Sequence, residues 1–246
     1  MNQVYLYDGS FVSLCHLIYY LLQHHITPFS IKDCNYSCNL LEEEIYLSVP
    51  EDSLLFSKII QGIGRFAFQV MYRVFLSNEE QKELLLYYFL RNGVKYRSKI
   101  VYQRNLNCVC KCLKINQYVA HELHKMKGFL RFRELENQVL YAEMEPTNHI
   151  LFDLSLHFQK RLKQEFWIIK DVKRKLFSIY DKKRFYILQE NEFVFPILES
   201  ESEQKMRELW KTFYQTIAIQ ERTNERCRKN FMPKKYWKYI TEVQEL

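Results

Sequence analysis

Two imidazoles flank a carboxylate in His121-Glu122-Leu123-His124, a grouping able to move protons or hold a metal. The zinc-protease arrangement needs its histidines four residues apart. Here the second arrives one position early, so that geometry fails. What remains is a general acid or base at His121 or His124, with His149 as a third candidate and Asp171 to orient it. Against this stands the common fate of such histidines, which is to face solvent or bond locally.

The cysteines offer a second chemistry. Structural zinc sites pair thiolates at C-x2–4-C spacing, often twice over. Cys34 and Cys38 have that spacing, whereas Cys108, Cys110 and Cys112 alternate, which reads as three small apolar side chains on one face of a strand. No metal and no cofactor is expected. No C-x3-C-x2-C run occurs, so the chain is not itself a radical-SAM enzyme. Gly62-Ile-Gly-Arg-Phe-Ala67 matches a dinucleotide fingerprint in form, but a helical pattern precedes it where a strand is required.

Phosphate chemistry has better material. Lys125 and Lys127 precede Arg131 and Arg133. If Phe129–Leu135 is a strand, the two guanidiniums share one face and suit successive phosphates, unless Glu143 and Glu145 pair with them from the next strand. Between Arg222 and Lys238 lie seven cations, among them Arg228, Lys234, Lys235 and Lys238. They are interleaved with Tyr236 and Trp237, a composition that grips a backbone while stacking bases. A docked terminal helix with buried rings and wet lysines uses the same residues equally well.

The elements that must position these groups are legible in outline. Val4–Tyr7 reads as a strand, Ser10 as the cap of a helix reaching Leu22, and Glu44–Val49 as a strand. Pro50 opens a helical stretch that stops at Asn92-Gly93. Val139–Glu145, Phe166–Lys170, Leu176–Tyr180 and Phe185–Leu188 read as further strands, with an amphipathic helix at His149–Leu162. Ser200-x-x-Glu203 caps a helix striped with Met206, Leu209, Trp210, Phe213, Tyr214 and Ile217.

The expected fold is α+β. A helical N-terminal half packs on a small antiparallel or mixed sheet (ββ-helix-ββ), and a C-terminal amphipathic helix and basic tail follow. Residues 1–246 are expected to form a single domain, with a sub-boundary near Gly93. There the charge changes, from 6 Lys/Arg against 10 Asp/Glu in residues 1–93 to 30 against 19 in residues 94–246. That basic part favours polyanions. An odd count of seven cysteines, no positive leader at Met1–Asp8, and an apolar run at Phe11–Leu22 too short for a bilayer predict a cytoplasmic chain with free thiols and no membrane partner.

Three stretches together resemble one family: Ala120–Arg133, Glu145-Pro-Thr-Asn-His-Ile150 and Phe231-Met-Pro-Lys-Lys-Tyr-Trp-Lys238. Tyr7–Phe11 and Trp167–Asp171 add to the likeness. The chain is similar to the bacterial "probable DNA metabolism protein" family, a domain of unknown function found beside a putative DNA-modification or repair radical-SAM protein, or fused to a uracil-DNA glycosylase-like domain. The resemblance covers essentially the whole chain in its stand-alone form. It implies DNA as a partner, single-stranded or damaged DNA included, and a radical-SAM protein as another, but no catalytic residue. The resulting expectation is a DNA-binding or adaptor protein using Lys125, Lys127, Arg131, Arg133, Arg228, Lys234, Lys235, Tyr236, Trp237 and Lys238. The alternative is an enzyme acting on damaged bases or DNA ends through the histidines.

Overall fold

Val4, Tyr5, Leu6 and Tyr7 are all buried, in contrast to the alternation of a half-exposed strand. They belong to β1 (Asn2–Tyr7), the middle strand of a three-stranded sheet. Parallel partners flank it on both sides: β2 (Ser30–Asp33) and β3 (Glu42–Tyr46). A continuous apolar run is what a parallel strand covered on both faces requires. The computed structural model describes residues 2–37, 41–47, 52–192 and 196–241. Cys38, Val49 and the Pro50-Glu51 pair therefore lie outside the described residues.

The fold is mixed α and β, and the chain divides into two compact units, residues 1–121 and 122–246. In the first, α1 (Phe11–Gln23) starts where expected, with the Ser10 hydroxyl accepting the Ser13 N–H at 3.0 Å. Its face of Leu14, Leu17, Ile18 and Leu21 is buried. Next come α2 (Leu55–Ile63), α3 (Arg65–Leu76) and α4 (Lys82–Tyr96). Gly64 separates α2 from α3 at φ +86°, a conformation open to glycine, so the Gly62–Ala67 motif is the helix-to-helix break its context suggested.

Gly93 is not the helix stop that its sequence context predicts, because α4 runs on to Tyr96. A Cβ at Gly93 would lie 2.6 Å from Ile63 Cγ2, so this glycine is where α2 and α4 approach closely. The trio of cysteines is likewise not on a strand. α5 (Asn107–Phe129) carries them, with Val109, Cys112, Ile115, Val119, Leu123 and Met126 buried at helical spacing. The division between units falls within α5.

In the second unit the strand expected over Phe129–Leu135 is mostly helix and connection. α5 continues to Phe129, and only Arg133–Glu134 forms a strand, β4. β5 (Leu140–Met144), α6 (Leu151–Arg161) and β6 (Trp167–Asp171) make a crossover with β5 and β6 parallel. β7 (Leu176–Tyr180) and β8 (Phe185–Gln189) then add antiparallel strands to a five-stranded mixed sheet, in sequence order from β4 to β8. One face takes α6, where buried Ser155 donates to Leu151 O at 2.7 Å and meets Ser178 of β7 at 2.7 Å. The other face carries a cluster of Leu135, Tyr141, Ile168 and Phe177.

α7 (Glu201–Thr216) is half of the expected capping box. Ser200 Oγ accepts the Glu203 N–H, but the Glu203 carboxylate accepts from Glu134 N–H at 3.1 Å, tying the helix start to β4. α8 (Glu225–Phe231) and a short 3-10 segment, Lys234–Tyr239, complete the unit. Among the described residues no helix is long and apolar enough to cross a membrane.

Candidate functional site

The three stretches that carry the family resemblance meet at one carboxylate. Glu122, on the buried side of α5, accepts five hydrogen bonds. The backbone N–H groups of Thr147 and Asn148 donate at 2.9 and 2.8 Å and the Asn148 side-chain amide at 2.7 Å. The Tyr236 hydroxyl donates at 3.0 Å and Lys235 Nζ at 3.2 Å. Arg174 grips the same loop from the carbonyl side, reaching Pro146 O at 3.2 Å and Thr147 O at 2.7 Å. Burial opposes ionisation of Glu122, but the two amides, the phenol and the ammonium outweigh it and hold its pKa below the usual glutamate value. A carboxylate saturated in this way is an anchor and a poor base. The signal for it was present in the sequence, between the two histidines that drew the chemical reading.

The same network uses up much of the cationic tail. Lys235 is bound to Glu122 and to Thr147 Oγ1, and Tyr236 is 3% exposed, so its ring is not available to stack on a base. Lys238 is paired with Glu145, which also accepts from the Tyr239 hydroxyl at 3.1 Å. These contacts, the Glu145 bond first among them, push the Lys238 pKa up to about 12. Arg228 and Lys234 flank the Trp237 ring at 4.9 and 5.6 Å from its centre, and the indole N–H donates to Met232 O.

Arg131 and Arg133 do not form the expected pair on one strand face. Arg131 precedes β4 and turns back on the end of α5, donating to Gly128 O at 2.6 Å. Arg133 lies over the Tyr141 ring on the sheet face away from α6, and its charge is met by Glu199 at 2.9 Å and Glu143 at 3.8 Å. Short strands with acids on the neighbouring segments favour pairing within the protein over an outward guanidinium row.

A second group of cations remains uncompensated, and all of it but Lys127 lies outside the motifs singled out in the sequence. Lys127 near the end of α5 and Arg161 on α6 both lie close to His157, whose pKa is lowered by burial first and then by these two cations. Lys160 and Lys163 continue the ridge. Gln159 donates to Lys183 O at 3.2 Å and Tyr180 donates to Lys163 O at 3.4 Å, which joins the end of α6 to the β7–β8 turn, Asp181–Arg184. None of Lys127, Lys160, Arg161, Lys163, Lys182 and Lys183 forms an ion pair within 4 Å among the described residues. Exposed rings sit among them: Phe166 beneath Lys182 at 4.3 Å, and Tyr186 beside Arg184. The Asp181-Lys-Lys-Arg184 run was the available signal.

Asp171, the expected orienter, is engaged by Arg174. Asp171 is fully buried and bonded to the Arg174 N–H and guanidinium at 3.2 and 3.1 Å, while His121 and His124 are exposed on α5 and His149 is half-buried in the clamped loop. Among the described residues no group of three or more His, Cys, Asp or Glu could hold a metal ion, and Cys15, Cys34, Cys108, Cys110, Cys112 and Cys227 carry free thiols. Burial raises the pKa of Cys112, which suits an inert core thiol.

Fold and site together define a mixed α/β protein in which a carboxylate with five hydrogen bonds organises structure, with an uncompensated basic ridge elsewhere in the same unit. The chain belongs to a family described as a domain of unknown function, DUF4130, whose profile matches residues 80–242. No curated protein and no solved structure matches it.

Proposed function

We propose that the protein binds DNA and acts as an accessory or adaptor in DNA repair or modification, together with the radical-SAM protein that the resemblance implies. One observation carries the DNA half of this reading: the ridge of Lys127, Lys160, Arg161, Lys163, Lys182 and Lys183, free of ion pairs among the described residues and edged by Phe166 and Tyr186. Cations already held by carboxylates gain little from a phosphate, whereas uncompensated ones release counterions from it. The proposed binding surface therefore centres on the end of α6 and the β7–β8 turn rather than on Arg133, Lys235 and Lys238. Support for the adaptor half comes from α7, whose Met206, Leu209, Trp210 and Phe213, with Ile217 just past its end, are 45–64% exposed along one stripe, more apolar surface than a lone helix ordinarily leaves to water.

A fluorescence-anisotropy titration with single- and double-stranded oligonucleotides at two ionic strengths tests the reading. Four phosphates neutralised on duplex DNA give a slope of about −3.6 in log affinity against log salt, and about −2.8 on a single strand. Weak binding with a flat salt response overturns the DNA half. Failure to co-purify with a radical-SAM partner overturns the adaptor half.

A further inference from the structure

The first unit holds a cavity of about 490 Å³ between the end of α1, α2 and α4, a volume in the range of small-molecule sites. Its floor is apolar, built from Ile59, Ile63 and Leu90, with the Tyr87 ring locked in place by a hydrogen bond from its hydroxyl to Ile26 O at 2.8 Å. The charges at its edge are all of one kind. Lys58 and Arg91 line it together with His25, and no carboxylate does among the described residues. Lys58 is already satisfied by Asp52 at 2.6 Å. Arg91 is exposed and has no hydrogen bond or ion pair among the described residues.

We propose that this cavity binds a small organic anion with an apolar body, such as a carboxylate on a chain or ring, whose charge is taken by Arg91. An apolar floor selects the body by area removed from water, and a lone guanidinium at the mouth selects the charged end. A neutral ligand of equal size leaves Arg91 unanswered, and a cation meets like charge. Gly62 supplies a way to close the site. It lines the cavity, and a Cβ built there meets no atom within 4 Å, so a large side chain enters empty space.

The test uses the full chain and 1-anilinonaphthalene-8-sulfonate as a fluorescent aromatic anion, displaced by octanoate or by octanol. The signal of interest is the part that Gly62→Phe removes, since α7 also offers apolar surface. Octanoate is expected to displace that part at about tenfold lower concentration than octanol, the worth of roughly one charge-assisted bond. Arg91→Glu is expected to erase this preference while octanol is unaffected. Equal potency of the two competitors, or an octanoate preference that survives Arg91→Glu, overturns the proposal, as does unchanged fluorescence in a folded Gly62→Phe protein. If Gly62→Phe does not fold, Arg91→Glu alone decides, since it sits on an exposed position.

Discussion

Glu122 ties together three separate stretches of the second unit. Removing its carboxylate strands two backbone donors, the Asn148 amide and a phenol in a buried place, and leaves the half-exposed Lys235 ammonium to water. Glu122→Ala is therefore expected to cost about 3–5 kcal/mol of unfolding free energy. Glu122→Gln keeps an oxygen for the amides and is expected to cost about 1–3 kcal/mol; chemical denaturation measures both. The pH dependence follows from the sign of the shift. The folded-state pKa lies below the unfolded value, so the stabilisation is fully present above the ordinary glutamate pKa and is lost as pH falls through the folded one. Acid denaturation of Glu122→Gln should consequently show a shallower loss below the usual glutamate range than the parent protein. An identical acid limb for the two proteins would assign that loss to other carboxylates.

At the scale of elements, α7 presents the sharpest expectation. Its apolar stripe contributes no buried residue, so Leu209→Glu should change stability by no more than about 0.5 kcal/mol, the size typical of surface sites. A large loss in a thermal melt would place that stripe in the folded core of the free protein. Ser200→Ala, by contrast, removes a real cap and should cost about 1 kcal/mol. Most strands of the second sheet could be read from period two because each places alternate residues on α6 or on the opposite cluster. The reading failed at Phe129–Leu135, where Leu130 and Phe132 mimic strand alternation. Leu130 instead closes the last turn of α5 through its N–H to Met126 O. It failed again at Cys108–Cys112, where attention to thiol spacing hid a helical burial pattern that runs from Val109 to Met126. β2 offers no alternation to read, because only Ile31 of its four residues is buried.

For the molecule as a whole, charge decides the partner more than fold does. The basic balance of residues 94–246 was visible in composition, but which cations are spent internally depends on contacts such as Arg133 with Glu199, 66 residues apart. No local pattern encodes these contacts. Reversing Lys160, Lys163 and Lys183 to Glu should weaken DNA binding without regard to sequence and flatten the salt slope by about 2–3. Reversing Lys235 or Lys238, which already hold carboxylates, should instead lower the melting temperature, with a much smaller effect on the salt slope. If the tail variants prove the more damaging to DNA affinity, the ridge is not the binding surface.

The bond from Tyr236 to Glu122 spans 114 residues of chain. During synthesis α5 emerges long before its phenol partner, and the acid must wait in water until the segment around Tyr236 leaves the ribosome. Segments fold in order of emergence where their contacts are local. The second unit therefore has a built-in final step: released chains truncated before residue 236 should remain protease-sensitive around the Thr147–Asn148 loop, and the full chain should not.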